Sequence, residues 1–526
     1  MIHSFKYSSK KIGDIGVVEE INNSIVMIAG FKSGAVGESI TFESGEHGRI
    51  LSLDKGKVKV IVYSRRPIKP GTKAVRTGNQ LRVSVGEGIL GHVINSLGYT
   101  LREKRERSDE PEPRDVEAFP IGISGRKKIN KFMHTGVNVI DLMVPIGEGQ
   151  RELAVGDRKT GKSHFCLQTV LSQARAGKIC IYALIGKRKS NIKMVEEFLE
   201  KEKVMDKCIL VASSSYDSPG EIFLTPYTAM AIAEYFRDKG ESVLVILDDL
   251  TTHAKYYREL ALLEGRFPGR ESYPGDIFHV HSRLLERAGN FAINDKETSI
   301  TCIPLAETLD GDLTGYIQTN LMSMTDGHIY FDSELFFKGM RPAVNVFLSV
   351  TRVGKQTQSP LRRDINSEIL LLLKKHEEMQ RFLKFGSELT ENVRETLAIG
   401  DKILKFFNQT NYETIYPDVQ SVLISLIWLG VWDGEGSEKL AKAFNTDPKT
   451  RAAIEKAVSQ ATSLEELNKL VSKKKQIFNK ILKKNNKKSK NIKKSEKKEN
   501  NDENKSEIKS EKENNEKDIN NEKDKK

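Results

Sequence analysis

The residues from Gly156 to Ser163 have the spacing of a phosphate-binding loop. They match the pattern GxxxxGK followed by Ser or Thr, with apolar residues 153–155 before them and a helical stretch after them. The glycines let backbone N–H groups close around phosphate oxygens, Lys162 supplies a positive charge, and the Ser163 hydroxyl can bind Mg²⁺. We therefore predict a nucleotide site formed by Gly156, Asp157, Arg158, Lys159, Thr160, Gly161, Lys162 and Ser163.

Two adjacent carboxylates, Asp248 and Asp249, follow the apolar residues 244–247. A carboxylate at a strand end can hold Mg²⁺ and its waters beside the phosphates of a nucleotide. Such strand ends are common, and it is the phosphate loop upstream that makes this one informative. We therefore predict Asp248 and Ser163 on the metal side of the site, with ATP or ADP and Mg²⁺ as the bound groups.

Three patterns along the chain indicate the elements that position these residues. Residues 1–78 alternate short apolar runs with Gly, Asn and Lys turns, which is typical of a small antiparallel β-barrel. Residues 79–362 carry apolar strands separated by helix-length amphipathic stretches, which is typical of a parallel sheet covered on both faces. Residues 363–482 show helical periodicity and predict a C-terminal bundle. The predicted fold class is multi-domain α/β.

The last part of the chain, residues 483–526, is composed almost entirely of Lys, Glu, Asn, Asp and Ser. Such a segment cannot bury enough apolar surface to offset the entropy lost on ordering, so we predict a disordered tail. Lysines of this tail contribute to the net charge of +12, and acidic residues accompany them. Because nucleic-acid binding needs a basic patch on a folded face, we expect no nucleic-acid partner.

The composition also argues against a membrane-spanning or disulfide-rich protein. No stretch approaches the roughly 18 apolar residues that a bilayer-spanning helix requires. The first residues lack the apolar core and small-residue cleavage site of a signal peptide. The four cysteines are widely separated and form no CxxC pair, so no zinc site or disulfide framework is indicated. We expect a cytoplasmic protein.

Several blocks of sequence, all in one order, resemble the F-type ATP synthase alpha subunit over roughly residues 12–435. They are residues 144–147, 149–153, 268–276, 281–287, 325–327 and 349–354. The resemblance implies a RecA-like nucleotide-binding domain between the barrel and the helical bundle. It also implies a hetero-hexamer that alternates with a beta-type catalytic subunit around a central-stalk gamma-type subunit, peripheral on the inner face of the cell membrane.

Position 187 separates alpha from beta subunits, which share the fold and both bind nucleotide. Where a beta subunit has its catalytic glutamate, this chain has Lys187. An ammonium cannot accept the proton of the attacking water at neutral pH, so the resemblance implies a non-catalytic site. Alpha subunits usually have glutamine here and at Lys159, so both departures add positive charge. We expect tighter or less Mg²⁺-dependent nucleotide binding; alternatively, both lysines point to solvent.

Arg352 lies in a Ser-Val-Thr-Arg setting that is similar to the alpha type. The resemblance implies that it is the arginine finger of the neighbouring catalytic site, where a guanidinium stabilises charge on the transferring phosphoryl group. Ser349 is implied to help position it.

The base side of the nucleotide site is implied by three further residues. Arg341 and Pro342 resemble a nucleotide-contacting pair, and Gln409 resembles an adenine-side glutamine. Asn411 stands where alpha subunits have a second glutamine, so we expect an altered adenine pocket. Because Gln409 lies in a polar segment, a plain surface amide is the alternative.

The beginning of the chain differs from the alpha pattern, because the barrel begins by about residue 12 and the usual amphipathic extension is missing or reduced. This weakens the case for docking to a peripheral stalk. A second interpretation also stays open, in which the chain is a self-sufficient homohexameric RecA-like ATPase of the secretion or helicase type. Lys187 argues against it.

Overall fold

The computed structural model describes residues 5–64, 66–101, 111–293, 296–383, 391–409, 412, 414–474, 476 and 478. The predicted disordered tail, residues 483–526, and Asn411 lie outside the described residues. The described chain forms two compact units. Of the described residues, those up to Leu371 and those within Phe407–Thr414 belong to the first unit, and those within Leu372–Phe406 and from Ile415 onward belong to the second.

The first unit begins with a closed, six-stranded antiparallel barrel. Its core contains fully buried aliphatic and aromatic side chains such as Ile28, Ile40 and Phe42. A helix precedes the barrel, and the strands pair in the order β1-β2-β5-β4-β3-β6. The elements are α1 (Phe5–Ile12), β1 (Ile15–Asn22), β2 (Ile25–Ala29), β3 (Glu38–Phe42), β4 (His47–Asp54), β5 (Lys57–Val62) and β6 (Lys73–Gln80).

The rest of the first unit is built on a nine-stranded, mostly parallel sheet, with two small two-stranded sheets beside it. Its strands are largely buried along their whole length, as expected for a sheet covered on both faces. The strands are β7 (Arg82–Val85), β8 (Val93–Ile94), β9 (Glu112–Asp115), β10 (Phe132–Met133), β11 (Ile146–Gly147), β12 (Glu152–Gly156), β13 (Ile179–Lys187), β14 (Cys208–Ser214), β15 (Val243–Asp248), β16 (Gly289–Ile293), β17 (Lys296–Glu307), β18 (Gly327–Phe331) and β19 (Val350–Thr351).

Among the described residues, eight α-helices connect or flank these strands. Helix α5 begins with a capping box, in which Ser218 and Glu221 each bond the other's backbone N–H, followed by a proline in the first turn. The helices are α2 (Asn138–Met143), α3 (Lys162–Arg175), α4 (Lys189–Lys201), α5 (Pro219–Asp238), α6 (Leu250–Glu264), α7 (Ile277–Leu285), α8 (Tyr316–Met324) and α9 (Ser333–Phe337).

The order of the large sheet brings the predicted site together. Along the path β19-β18-β12-β17-β15-β13-β14-β8, strands β12, β15 and β13 lie close to one another and run parallel. Parallel strands end at one edge of a sheet, and ligands bind beyond that edge. The same edge of the sheet therefore holds the phosphate loop, Asp248 and Lys187.

The C-terminal part of the described chain is helical. Its elements are α10 (Pro360–Leu383), α11 (Glu391–Phe407), α12 (Pro417–Trp428), α13 (Ser437–Thr446), α14 (Pro448–Gln460) and α15 (Leu464–Lys473). Helix α12 is buried through most of its length and packs against α13, α14 and α15. In the described part of the chain, no helix combines the length and apolar character needed to cross a membrane. The predicted fold class is confirmed, since a barrel, a mostly parallel sheet with helices and a helical region follow one another along the chain.

Candidate nucleotide-binding site

The phosphate loop joins β12 to α3 at the carboxyl edge of the sheet. Gly161 has a φ of 102°, which favours glycine, and a Cβ on Gly156 would lie 2.3 Å from the carbonyl oxygen of Phe331. The Nζ of Lys162 donates to the carbonyl oxygens of Gly156 and Asp157, at 2.6 Å from each. Burial lowers the pKa of this ammonium. The lysine therefore lies against the backbone of the loop.

Asp157 anchors the loop to neighbouring segments. Its carboxylate accepts hydrogen bonds from Thr308 Oγ1 at 2.6 Å, from Gly311 N at 3.0 Å and from Ser333 Oγ at 2.6 Å. Burial acts to raise the pKa of this carboxyl, but the bonds from Ser333, Thr308 and Gly311 outweigh burial and lower the pKa below its ordinary value. The aspartate is thus held ionised and fixes the first turn of the loop.

The remaining loop residues differ in exposure. Arg158 is exposed and makes an ion pair of 2.8 Å with Glu307 at the end of β17. Lys159 is exposed, with a left-handed φ of 65°, whereas Thr160 is buried. Ser163 is exposed in the first turn of α3. The Ser163 hydroxyl is therefore on the accessible side of the loop.

Lys187, the last residue of β13, lies between the two carboxylates at the end of β15. Its Nζ is 2.5 Å from Asp248 Oδ1 and 3.1 Å from Asp249 Oδ2. Asp249 also caps α6, because it accepts hydrogen bonds from the backbone N–H and the hydroxyl of Thr252. The alternative that Lys187 points to solvent is wrong, since its side chain is only 20% exposed and is paired with both acids.

Burial and ion pairing set the charges of this trio. Burial acts to lower the pKa of Lys187, but Asp248 and Asp249 raise it above its ordinary value. Burial raises the pKa of Asp248, and Lys187 opposes that rise. A lysine held in its charged form cannot take a proton from water. The end of β13 therefore presents a fixed cation and no general base.

The oxygen donors near the loop suit Mg²⁺ in kind, since this ion prefers carboxylates, hydroxyls and water. However, Asp248 Oδ1 is paired with Lys187, and Asp248 Oδ2 accepts a hydrogen bond of 3.0 Å from Tyr182 Oη. No group of three or more potential metal-binding His, Cys, Asp or Glu residues occurs in the described ranges. Both oxygens of Asp248 are engaged in this way, so this carboxylate does not fit direct contact with Mg²⁺ as it stands. The assignment of Ser163 and Asp248 as metal ligands stays a prediction.

Arg352 is exposed just beyond the edge strand β19. Its backbone N–H donates to the carbonyl oxygen of Asp326 at 3.0 Å, and its Nη1 donates to the carbonyl oxygen of Thr325 at 3.4 Å. The backbone of this arginine is therefore fixed to the sheet, while the side chain has one long hydrogen bond and is accessible from outside.

Ser349 holds the segment before Arg352 against the sheet. Its hydroxyl donates to the carbonyl oxygen of Asn345 at 2.7 Å and accepts from the backbone N–H of Tyr330 at 2.9 Å. The side chains around it form an exposed apolar surface beside the arginine. They are Phe347 (45% exposed), Leu348 (49%) and Val350 (42%).

Gln409 is buried, and the alternative of a plain surface amide is wrong. Its Oε1 accepts a hydrogen bond of 2.6 Å from Asn138 N, and its Nε2 donates to the carbonyl oxygen of Gly136 at 3.2 Å. Its backbone N–H donates to the carbonyl oxygen of Arg341, and the buried Pro342 follows. The structure brings Gln409 next to Arg341 and Pro342, and their contact with nucleotide stays a prediction.

Comparison with known proteins finds two family models along the chain. Residues 136–351 match the nucleotide-binding domain of the ATP synthase alpha/beta family, and residues 358–484 match the ATP synthase alpha/beta chain, C terminal domain. The chain is also similar to ATP synthase subunit alpha of Carsonella ruddii (strain PV). The identity is 40% over 422 residues, which cover 78% of this chain and 87% of the relative. The chain belongs to the ATP synthase alpha/beta family.

Membership of the ATP synthase alpha/beta family confirms the resemblance that the sequence blocks predicted. The matched nucleotide-binding domain contains the phosphate loop, Lys187 and Asp248, and it ends one residue before Arg352. Nucleotide binding is therefore a property of the domain in which this geometry lies.

Sequence reasoning missed an aromatic cluster beside the loop of this ATP synthase alpha/beta chain. The ring of Tyr412 lies 4.2 Å from that of His164 and 4.4 Å from that of Phe198, measured between centroids. His164 directly follows Ser163, so the cluster borders the phosphate loop. No local signal could have found it, because Tyr412 is far from His164 along the chain. Only its closeness to Gln409 in the sequence points to the base side.

Proposed function

We propose that this chain is the non-catalytic alpha-type subunit of an ATP synthase or ATPase head. It binds ATP or ADP at its own phosphate loop and alternates with a beta-type catalytic subunit in a hetero-hexamer around a gamma-type subunit. Arg352 is the arginine finger that it supplies to the neighbouring catalytic site. Through this complex it lies on the inner face of the cell membrane.

The observation that carries the non-catalytic assignment is the position of Lys187. Hydrolysis by a P-loop enzyme needs a group that orients the attacking water and accepts its proton. At the end of β13 this chain has an ammonium held by Asp248 and Asp249. A cation in that place supports nucleotide retention and opposes turnover.

The environment of Arg352 supports its role toward a neighbour. The guanidinium is accessible, whereas the backbone is bonded to Asp326 and the preceding segment is held by Ser349. Exposed apolar side chains next to a charged group are typical of a surface that another protein covers. A guanidinium delivered from such a surface would stabilise the charge that spreads over a transferring phosphoryl group.

Replacement of Arg352 in the assembled head tests this role. We expect Arg352→Ala to lower ATP turnover by roughly 10³-fold or more, as the loss of an arginine finger does. Nucleotide binding at this chain's own site should be unchanged. Lys355→Ala removes an exposed cation three residues away and should leave turnover near the wild-type rate. Wild-type turnover by the Arg352→Ala head would refute the assignment.

ATP turnover by the purified chain alone distinguishes this proposal from a self-sufficient hexameric ATPase. We expect no appreciable turnover, because Lys187 occupies the position of the base. Hydrolysis that survives Lys187→Ala but is lost in Lys162→Ala would place catalysis in this chain and contradict the proposal.

A further inference from the structure

The ammonium of Lys187 lies against a pair of buried acids at the phosphate site and offsets part of their negative charge. The exposed fractions of the side chains are 20% for Lys187, 7% for Asp248 and 4% for Asp249. Within the described part of the chain, Lys187 is the only cationic side chain in ion-pair contact with either acid. The contact is therefore an internal one between largely buried groups, and solvent screens it little.

The carboxylates of Asp248 and Asp249 would repel any polyphosphate that binds at the loop. Asp248 ends the strand that lies one strand away from the phosphate loop, and both acids act on the charge of Lys162 within that loop. A polyphosphate bound at the loop would bring further negative charge toward these carboxylates, and like charges in a partly buried site repel each other strongly. A nucleotide that binds there needs a cation between its phosphates and the two carboxylates. In P-loop proteins Mg²⁺ is that cation.

Lys187 already supplies this charge from the protein. Its Nζ engages Asp248 Oδ1, and Tyr182 engages Asp248 Oδ2. Mg²⁺ would have to displace one of these groups to bind the carboxylate directly, and it demands near-ideal octahedral oxygen ligands. Since Lys187 is part of β13, it stays at a high local concentration beside the acids.

We propose that Lys187 serves as a built-in counter-ion, so that this chain's own site binds ATP and ADP without requiring Mg²⁺. The inference rests on the proposed function, because it assumes that the phosphate loop holds a nucleotide. It concerns affinity and the choice of cation and involves no chemical step.

The dissociation constant for ADP, measured by equilibrium dialysis with the full-length chain, tests the proposal. The constant is measured once with excess Mg²⁺ and once with EDTA. We expect the wild-type values to agree within about threefold, because Lys187 already offsets the carboxylate charge that faces the phosphates. For Lys187→Gln we expect EDTA to weaken binding at least about tenfold relative to Mg²⁺, because the acids then face the phosphates without a counter-ion.

Two further variants separate the charge of Lys187 from its position. Lys187→Arg keeps the cation and should keep Mg²⁺-independent binding. Lys189→Gln removes the same charge from an exposed residue two positions away and should behave as wild type. As a direct readout of the metal, electron paramagnetic resonance of Mn²⁺ with ADP should show Mn²⁺ bound more tightly in Lys187→Gln than in wild type.

Each outcome decides between the two proposals. If the dissociation constant of the wild-type chain for ADP is more than tenfold higher in EDTA than in Mg²⁺, the counter-ion role is overturned. Binding of ADP in Mg²⁺ would then still support the nucleotide site of the proposed function. A Lys187→Gln chain with wild-type behaviour also overturns it. A folded wild-type chain that binds no ADP under either condition overturns the proposed function. If Lys187→Gln does not fold, the wild-type ratio of the two dissociation constants and the Lys187→Arg variant still decide.

Discussion

Lowering the pH from 7.5 to 5 should destabilise the first unit through a buried pair of histidines on α6 and α7. His253 Nε2 is 3.0 Å from the carbonyl oxygen of Phe223, and His253 Nδ1 is 3.1 Å from His281 Nε2. A carbonyl only accepts, so His253 donates from Nε2 and must accept at Nδ1 from His281. His253 is therefore neutral, and a proton on its Nδ1 would set two N–H groups against each other. Burial also lowers the pKa of His281.

The size of the effect follows from the pKa of His253. Burial lowers this pKa from 6.5 to about 4, and the ring is completely buried. Between these two values the unfolded chain binds a proton that the folded chain does not, so the free energy of unfolding falls as the pH falls. The loss from this one residue is about 2 kcal/mol at pH 5 and about 3 kcal/mol at pH 4. The contribution of His253 to the free energy of unfolding is essentially fully present well above pH 6.5.

Urea unfolding followed by circular dichroism measures this loss at pH 7.5 and at pH 5. Other groups titrate in the same range, so the wild type is compared with His253→Gln, which carries no titratable ring. We expect the variant to lose about 2 kcal/mol less than the wild type between the two pH values. His279→Gln, which replaces an exposed histidine on α7, should lose as much as the wild type. Equal losses in wild type and His253→Gln would refute the argument.

Two smaller changes address the anchors of the fold and the loop. Ser218→Ala removes the N-cap of α5 and should lower the free energy of unfolding by about 1 kcal/mol in urea titrations, while Ser218→Thr should retain most of it. A wild-type midpoint for Ser218→Ala would contradict the capping role. Asp157→Ala removes the acceptor of three hydrogen bonds and should cost about 2 kcal/mol in the same titration, so an unchanged value would count against its role as an anchor.

The fold class could be predicted from the sequence because its signals are local. A strand that is buried on both faces, such as β15, is apolar throughout, and a phosphate loop has its glycines and lysine within eight residues. The barrel alternation and the helical periodicity are likewise visible over short windows. Each of these patterns follows directly from the geometry of the backbone element that it predicts.

The contacts of the site could not be predicted in the same way. Lys187 contacts Asp248 because β13 and β15 are neighbours in the sheet. No single segment of the sequence determines the order of the strands. Gln409 lies in a polar stretch that favours a surface position, yet backbone groups at residues 136 and 138 bury it. The sequence indicated which residue types were unusual, whereas their partners depended on chain topology.

The barrel and the large sheet of the first unit differ in how their edges are protected. Every strand of the barrel is paired on both sides, so the closed sheet offers no row of unpaired backbone groups. The strand path of the large open sheet ends in β8 on one side and β19 on the other, and each of these strands is only two residues long. The five-residue β16 lies off this path, where it pairs with β17, and its Phe291 makes an isolated bridge to Arg126. Edges of two residues give an incoming strand little to pair with, which disfavours edge-to-edge aggregation at β8 and β19. Contacts of this chain with other proteins are therefore expected to use side chains and loops rather than strand pairing at these two ends.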